Sequence, residues 1–433
     1  MSKRVASPAP APERTPTDWK SAAMQKRIRR RYARERRFKL FGMMAVILSA
    51  AFLAFLIATM MANGARGFTR SEVALHFDFP KLGIEIDRSH LKTPGADLAL
   101  AGAGLQDKVE TLATSPAGYS LASNSAWVTV RDRIKAHPAI LDGKATIWVP
   151  ASTELEMGSR GEGPANVQAD ARKLSQAGQL RTGFNWGFFS ASNSNDPVAV
   201  GIWGALKGSL LTMLVTFLIA FPVGVLSAIY LEEYAPKNRW TDLIEVSINN
   251  LAAVPSIIFG LLGLAVFLGS WQIGGHTFGP LFPRSAAIVG GLTLALMIMP
   301  VIVIASRNAI KGVPPSIRDA ALGIGASRIQ VVFHHVLPLA MPGILTGTII
   351  GMARALGETA PLLLIGMRAF IVTPPSGFTD PATVLPVQIF LWSDEVSRGF
   401  VEKTSAAILV LLVFLLAMNG LAIYLRNKFE TRW

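Results

Sequence analysis

No cysteine occurs in the 433 residues. Disulfides, thiolate metal sites and cysteine nucleophiles are therefore excluded, and the redox compartment stays unread. Histidine is scarce too: positions 76, 90, 137, 276, 334 and 335, never in HExxH spacing. No metal site and no other cofactor is expected. There is no GxxxxGK[ST] loop to cradle nucleotide phosphates, so the chain alone is expected to bind no ATP. Charge is sparse as well, at 16% of residues against about a quarter in ordinary soluble domains.

What replaces charge is hydrophobicity, at 51% of residues. That balance points to a membrane protein. The net charge of +14 is unevenly placed: residues 1–39 hold 13 Lys/Arg against Glu13, Asp18 and Glu35. Residues 65–195 hold 14 basic against 13 acidic residues, close to neutral. A basic tail beside an apolar run is a cytoplasmic anchor under the positive-inside rule and suits anionic headgroups. A basic arm for nucleic acid is the alternative, and the distribution disfavours it.

A span needs roughly 20 apolar residues to cross about 30 Å of hydrocarbon. Six stretches qualify: Leu40–Ala62, Ala205–Leu231, Val246–Leu268, Ser285–Ala305, Leu339–Gly366 and Thr404–Leu425. The first has too long a charged preface and core for a cleaved signal peptide, so it is expected to stay as an anchor. With the tail inside, residues 65–195 fall outside and the loops 232–244 and 306–338 inside. The loop 306–338 agrees, with Arg307, Lys311, Arg318 and Arg328 against Asp319. The loop 232–244 is balanced and adds nothing. Both termini are then cytoplasmic.

Residues 65–195 read as a small mixed α/β domain. Strand-like runs occur at VALHFDF (73–79) and ATIWVP (145–150), and a helix-like run at LQDKVETLAT (105–114). No motif there carries chemistry, and a structural or docking role is the expectation. The fold class is thus an all-α polytopic membrane protein with an inserted extracytoplasmic α/β domain between spans one and two. Its parts are a tail (1–39), a first span (40–64), the α/β domain (65–195) and a five-helix membrane domain (200–430). Prolines 222, 255, 300, 342 and 361 fall inside spans; both simple kinks and a packed pathway explain them.

The loop 306–338 contains GVPPSIRDAALGIGASRIQVVFHHVLPLAMPG. Pro314 and Pro315 end one helix, and Ser316 stands three residues before Asp319, the capping-box spacing. Gly323 and Gly325 end that short helix. A second amphipathic piece, Ala326–Val336, leads to membrane re-entry at Leu337-Pro338. Ala320 and Ala321 are expected to face a partner. The pattern resembles the cytoplasmic loop of ABC importer permeases: Glu-Ala-Ala, three residues, Gly, nine residues, Ile-x-Leu-Pro. Here Asp319-Ala320-Ala321, Gly325 and Leu337-Pro338 fill the positions, with Asp for Glu and His335 for Ile. The resemblance implies that Arg318, Asp319, Ala320, Ala321, Gly325, Leu337 and Pro338 form a coupling loop seated on a separate cytoplasmic ATPase.

Arg354 and Glu358 lie four residues apart in the fifth span, on one helical face and roughly 6 Å apart along the axis. Either charge costs about 2.5–3.5 kcal/mol at a bilayer centre, so both ask for a reason. An internal ion pair and a pathway site for a tetrahedral oxyanion are the two readings. Lys207, Arg307 and Arg368 sit near span ends and are expected to snorkel. The surrounding ARALGETAPLL, with VPSIIFGLLGL (254–264) and LPLAMPGILTG (337–347), resembles phosphate-specific ABC importer permeases of the A type. That resemblance covers about residues 200–430. It implies six spans of the ABC importer permease type and a role for Arg354 and Glu358 in moving phosphate. The implied partners are a homologous C-type permease, an ATPase dimer, a periplasmic phosphate-binding protein and the bilayer of a bacterial inner membrane, with no nucleic acid. The chain itself would be no enzyme.

Overall fold

The computed structural model describes residues 19–84, 86, 91, 95–273 and 276–429. The first 18 residues of the basic tail and the last four of the chain lie outside them. Two units, divided after Thr59, are described separately. Helix α1 (Ala22–Gly67) begins in the first unit and is longer than the expected span at both ends. Arg, Lys, Glu and Ala are good helix formers, so the basic stretch from Ala22 continues the apolar helix rather than ending before it.

In the second unit the chain leaves α1 through Phe68 into β1 (Thr69–Asp78). This strand is the centre of a three-stranded antiparallel sheet, with β2 (Lys144–Pro150) on one side and β3 (Leu180–Phe184) on the other. Val73 pairs with Val149 and Leu180, and Leu75 with Ile147. Short helices connect the strands: α2 (Phe79–Leu82), α3 (Ala96–Gly102), α4 (Leu105–Ala113) and α5 (Ala126–Ala136) before β2. After it come α6 (Thr153–Ser159) and α7 (Ala165–Gln176). Alternating side chains Val73, Leu75 and Phe77 meet Leu100, Leu105, Val109, Val130, Ile134 and Leu155 in one hydrophobic core. Each fully buried side chain of this size contributes about 1.5–3 kcal/mol.

Helix α8 (Gly187–Ser190) leads into α9 (Trp203–Ile229), which continues through a π-helical turn, Tyr230–Tyr234. The expected third span is broken. Helix α10 (Arg239–Ala252) and α11 (Ser256–Phe267) meet at 106°. Pro255 stands at the N-cap of α11 with ψ 137°, which no helix can carry through. A short hairpin, β4 (Trp271–Ile273) and β5 (His276–Phe278), precedes α12 (Ala287–Lys311).

Then come α13 (Pro315–Gly323), α14 (Arg328–Gln330), a π-helical stretch Val331–Val336 and α15 (Leu337–Gly357). Helices α16 (Ala360–Leu364), α17 (Leu385–Ser393) and α18 (Arg398–Phe429) complete the chain. The helix begun at Arg328 runs on through Leu337-Pro338 into α15 without a break. Pro338 has no N–H for the usual bond to the preceding turn, and the helix widens there instead of stopping.

Among the described residues, five helices are long and apolar enough to cross a bilayer, or six if the bent α10–α11 pair counts as one span. Helix α12 is the most enclosed of them. Its small residues admit close neighbours. A Cβ on Gly291 would lie 2.5 Å from Val215 Cβ, and one on Gly347 of α15 would lie 2.1 Å from Ala305 Cβ. Small residues at crossings are how helices approach closely in lipid.

Candidate functional site

The fifth span ends earlier than its hydropathy suggests. Helix α15 stops at Gly357, and Glu358 is extended, with φ −80° and ψ 120°. Pro361 supplies the reason: its ring would clash with the carbonyl of Gly357 and it offers no N–H. Arg354 therefore occupies the last turn of α15, and Glu358 occupies the break. As the C-cap residue, Glu358 still follows the last turn, so the two share a helical face as the spacing suggested, and the chain departs only after Glu358. Arg354 Nε lies 3.6 Å from Glu358 Oε1.

That separation makes a charge pair without a hydrogen bond. Among the described residues Arg354 has no hydrogen-bond partner, so its guanidinium donors stay available. Its side chain is 46% exposed and that of Glu358 20%. A guanidinium facing lipid at the bilayer centre would be costly.

The second break lies alongside. A Cβ on Gly260 of α11 would meet Pro361 Cα at 2.6 Å, and one on Gly263 would meet Ile365 at 3.3 Å. The order of these contacts sets α11 and α16 in the same direction, with the interruptions at Pro255 and Glu358 at one level. Irregular backbone at membrane depth is tolerated where it lines a cavity or is covered by protein. By contrast, a space of about 330 Å³ beside Met213, Phe217, Met352, Leu415 and Met418 is apolar and offers an anion little.

At the other end of the bundle, α13 does not use the expected cap. Its N-cap is Pro314, without a side-chain hydrogen bond, and Pro315 sits in its first turn. Proline at that position loses nothing, because the N–H it lacks would be unpaired anyway. The capping box is instead Ser327–Gln330, where Gln330 N–H donates to Ser327 Oγ at 3.3 Å and Ser327 N–H to Gln330 Oε1 at 2.9 Å. Gly325, at φ +89°, makes the turn between α13 and α14, and Ala326 N–H donates to Ala321 C=O at 3.1 Å. Asp319 and Ala320 are exposed, but Ala321 is buried at 4%. The face left open carries Leu322, Ile324 and Ile329 rather than two alanines. Leu337 and His335 are half-buried and Pro338 is exposed.

Arg318 points inward. It donates to Glu233 Oε1 at 2.8 and 3.1 Å, to Val313 C=O at 2.7 Å and to Ile310 C=O at 3.0 Å. One side chain thus ties α13 to the end of α12 and to the π-helical turn after α9. Arg307 makes a second tie and corrects its snorkelling assignment: it is 8% exposed and pairs with Glu232 at 3.0 Å and Glu245 at 2.8 Å. Lys311 also reaches Glu232, at 3.2 Å. The stretch 232–244, which looked neutral and uninformative, supplies one acid to each of these ties. A legible signal was the Glu232-Glu233 pair ending an apolar run, with Arg307 and Lys311 one turn apart. Lys207 is half-buried and Arg368 exposed, neither in an ion pair among the described residues.

The decisive comparison is a family model described as binding-protein-dependent transport system inner membrane component, which matches residues 200–431. The chain belongs to this family. Residues 25–169 match a second model, described only as a domain of unknown function. The probable ABC transporter permease protein YqgI of Bacillus subtilis is 32% identical over 56% of this chain and 84% of its own length. The phosphate transport system permease protein PstA of Yersinia pestis is 30% identical, over 51% of this chain and 71% of that protein. PstA 1 of Mycobacterium tuberculosis is 34% identical, over 39% of this chain and 51% of that protein. The resemblance to A-type phosphate permeases is supported by these relatives. As a membrane component of such a transport system, the chain is a multi-pass permease subunit and not itself an enzyme.

Proposed function

We propose that this family member is the A-type permease subunit of an ATP-driven importer of inorganic phosphate. One observation carries the assignment of the path: Arg354 sits at a helix interruption, beside a second interruption, with its donors unengaged and Glu358 at 3.6 Å. A guanidinium fork matches tetrahedral oxyanions, and the nearby carboxylate weakens retention so that the anion can leave. Glu358 also balances the arginine's charge when no anion is present.

In this reading a homologous C-type permease completes the path and a periplasmic phosphate-binding protein delivers the ion. A cytoplasmic ATPase dimer receives the open face of α13, with Ala320, Leu322 and Ile324 as the contact, and Asp319 beside it. Arg318 and Arg307 then pass its closing motion to α9, α10 and α12. Gly325 shapes the turn, while Leu337 and Pro338 join the loop to α15. The basic tail and both termini are cytoplasmic, and the α/β domain is on the other side of the inner membrane. The tail, the first span, the domain at 65–195 and the permease region at 200–430 act as the parts expected above.

The test is uptake of radiolabelled phosphate in cells lacking the chromosomal gene. The intact chain should restore uptake, and Arg354→Gln at equal membrane levels should not. Normal uptake by Arg354→Gln would overturn the path assignment. If excess sulfate or molybdate competes as well as phosphate, the substrate is another oxyanion.

A further inference from the structure

Beside the end of α1, four aromatic rings form a contiguous cluster that neither the core nor the transport reading accounts for. Phe68 stacks on Phe184 at 6.5 Å and on Phe189 at 5.7 Å, and Phe184 meets Trp186 at 4.8 Å. Trp186 is 76% exposed, Phe184 50% and Phe189 37%. They are held rigidly. Asn185 N–H donates to Phe68 C=O at 2.8 Å, and Phe188 N–H to Asn185 Oδ1 at 3.3 Å.

The position of the cluster along the spans is fixed by its neighbours. Phe188, fully buried beneath it, packs with Ile202, Ala205, Phe400, Ala406 and Ala407. Ile202 N–H donates to Phe188 C=O at 2.8 Å. Gly67 sits so close to Glu402 C=O and Ala406 that neither approach leaves room for a Cβ. Three apolar runs meet at this level: that of α1 has just ended, and those of α9 and α18 are just beginning. The exposed rings therefore lie where three spans cross from hydrocarbon into headgroups. Phe184 ends β3 of the α/β sheet, Phe189 lies in α8 and Trp186 stands between them, so none is within a span.

Exposed apolar patches of this kind mark interaction sites. Aromatic side chains, tryptophan above all, are enriched at membrane–water boundaries, where an apolar ring and a polar edge are both accommodated. We infer that Phe184, Trp186 and Phe189 form a bilayer-interface anchor that seats the α/β domain against the headgroup layer. The occupant is lipid, because the patch continues the lipid-facing boundary of the spans. The anchor does not depend on the substrate.

Because this chain has no cysteine, each variant carries a single labelling site on it, and the complex with the unsubstituted chain gives the background from its partners. Trp186→Cys and Phe189→Cys, each nitroxide-labelled, are reconstituted with the full transport complex in phosphatidylethanolamine–phosphatidylglycerol vesicles. Lys81→Cys, in α2 just beyond the far end of β1, is the aqueous reference. Relative to it, both anchor labels should show a several-fold higher ratio of oxygen to nickel-chelate collisions. Nickel access equal to that of Lys81→Cys would place the rings in water and overturn the anchor. Exclusion of both reagents would mean a protein partner covers them, which also overturns it. Transport is not read, so this result and the phosphate assignment stand or fall separately.

Discussion

Arg318 Nη2 lies 2.8 Å from Glu233 Oε1, joining a loop helix to the π-helical end of a span 85 residues earlier. The same guanidinium binds two backbone carbonyls at the end of α12. Hydrogen bonds from a charged donor are worth about 1.5–3 kcal/mol each when little exposed. Arg318→Gln should therefore destabilise the solubilised complex by about 2–3 kcal/mol, read as a lower melting temperature. The charge swap Arg318→Glu with Glu233→Arg should recover only part. It restores the ion pair but leaves Ile310 and Val313 carbonyls without their donor. Full recovery would show that the carbonyl bonds contribute nothing.

Arg307 provides a sharper contrast. Were it an interfacial side chain, its removal would cost within about 0.5 kcal/mol, as at most surface positions. Buried between Glu232 and Glu245, its replacement by methionine leaves two acids facing Lys311 alone. Breaking a buried pair on one side typically costs about 3–5 kcal/mol. Arg307→Met should show a loss of that order in denaturant unfolding, and Arg307→Met with Glu232→Met a clearly smaller one.

These residues show where the sequence was and was not readable. Spans were legible because about 20 apolar residues in a row have few other uses. Arg307 and Glu232 were not, because 75 positions separate them and each looks like an ordinary charge at a span end. Five prolines fell in spans, and only Pro255 and Pro361 mark breaks; Pro222, Pro300 and Pro342 lie inside continuous helices. The difference is tertiary: Gly260 and Gly263 let the broken halves pack on each other, and one proline at a time reveals nothing of that. Arg354 and Glu358 were found by their cost in hydrocarbon, although the helix break that follows Glu358 was not. The capping box was misplaced because Ser316 had the right spacing but Pro315 had already fixed the helix start. The aromatic cluster went unseen because Phe68 and Phe184 approach only once β1 and β3 pair.

Helix contact through glycine gives a third expectation. A Cβ at Gly347 would lie 2.1 Å from that of Ala305, so α12 and α15 must separate to admit one. Overpacking of this kind costs about 1–3 kcal/mol, more as the side chain grows. Gly347→Ala should lower the melting temperature and Gly347→Val lower it further. Gly42 is the control, since a Cβ there meets nothing within 4 Å. In mid-helix, Gly42→Ala should raise helix stability by about 0.5–1 kcal/mol.

Tyr119 gives a test by pH. Burial, with the hydrogen bond to Asp170 at 3.0 Å, pushes its phenol up to about 12 from the ordinary 10. The raised value means that the folded chain holds the proton after the unfolded chain has lost it. This contribution to stability is complete below pH 10 and is lost as the pH rises towards 12. Tyr119→Phe should remove one late step from the tyrosinate absorbance titration of the purified chain, which has five tyrosines. Asp170→Asn removes the neighbouring carboxylate and should move that step to lower pH without abolishing it. An unchanged titration in Asp170→Asn would leave burial as the whole cause and make the Asp170 contact electrostatically idle.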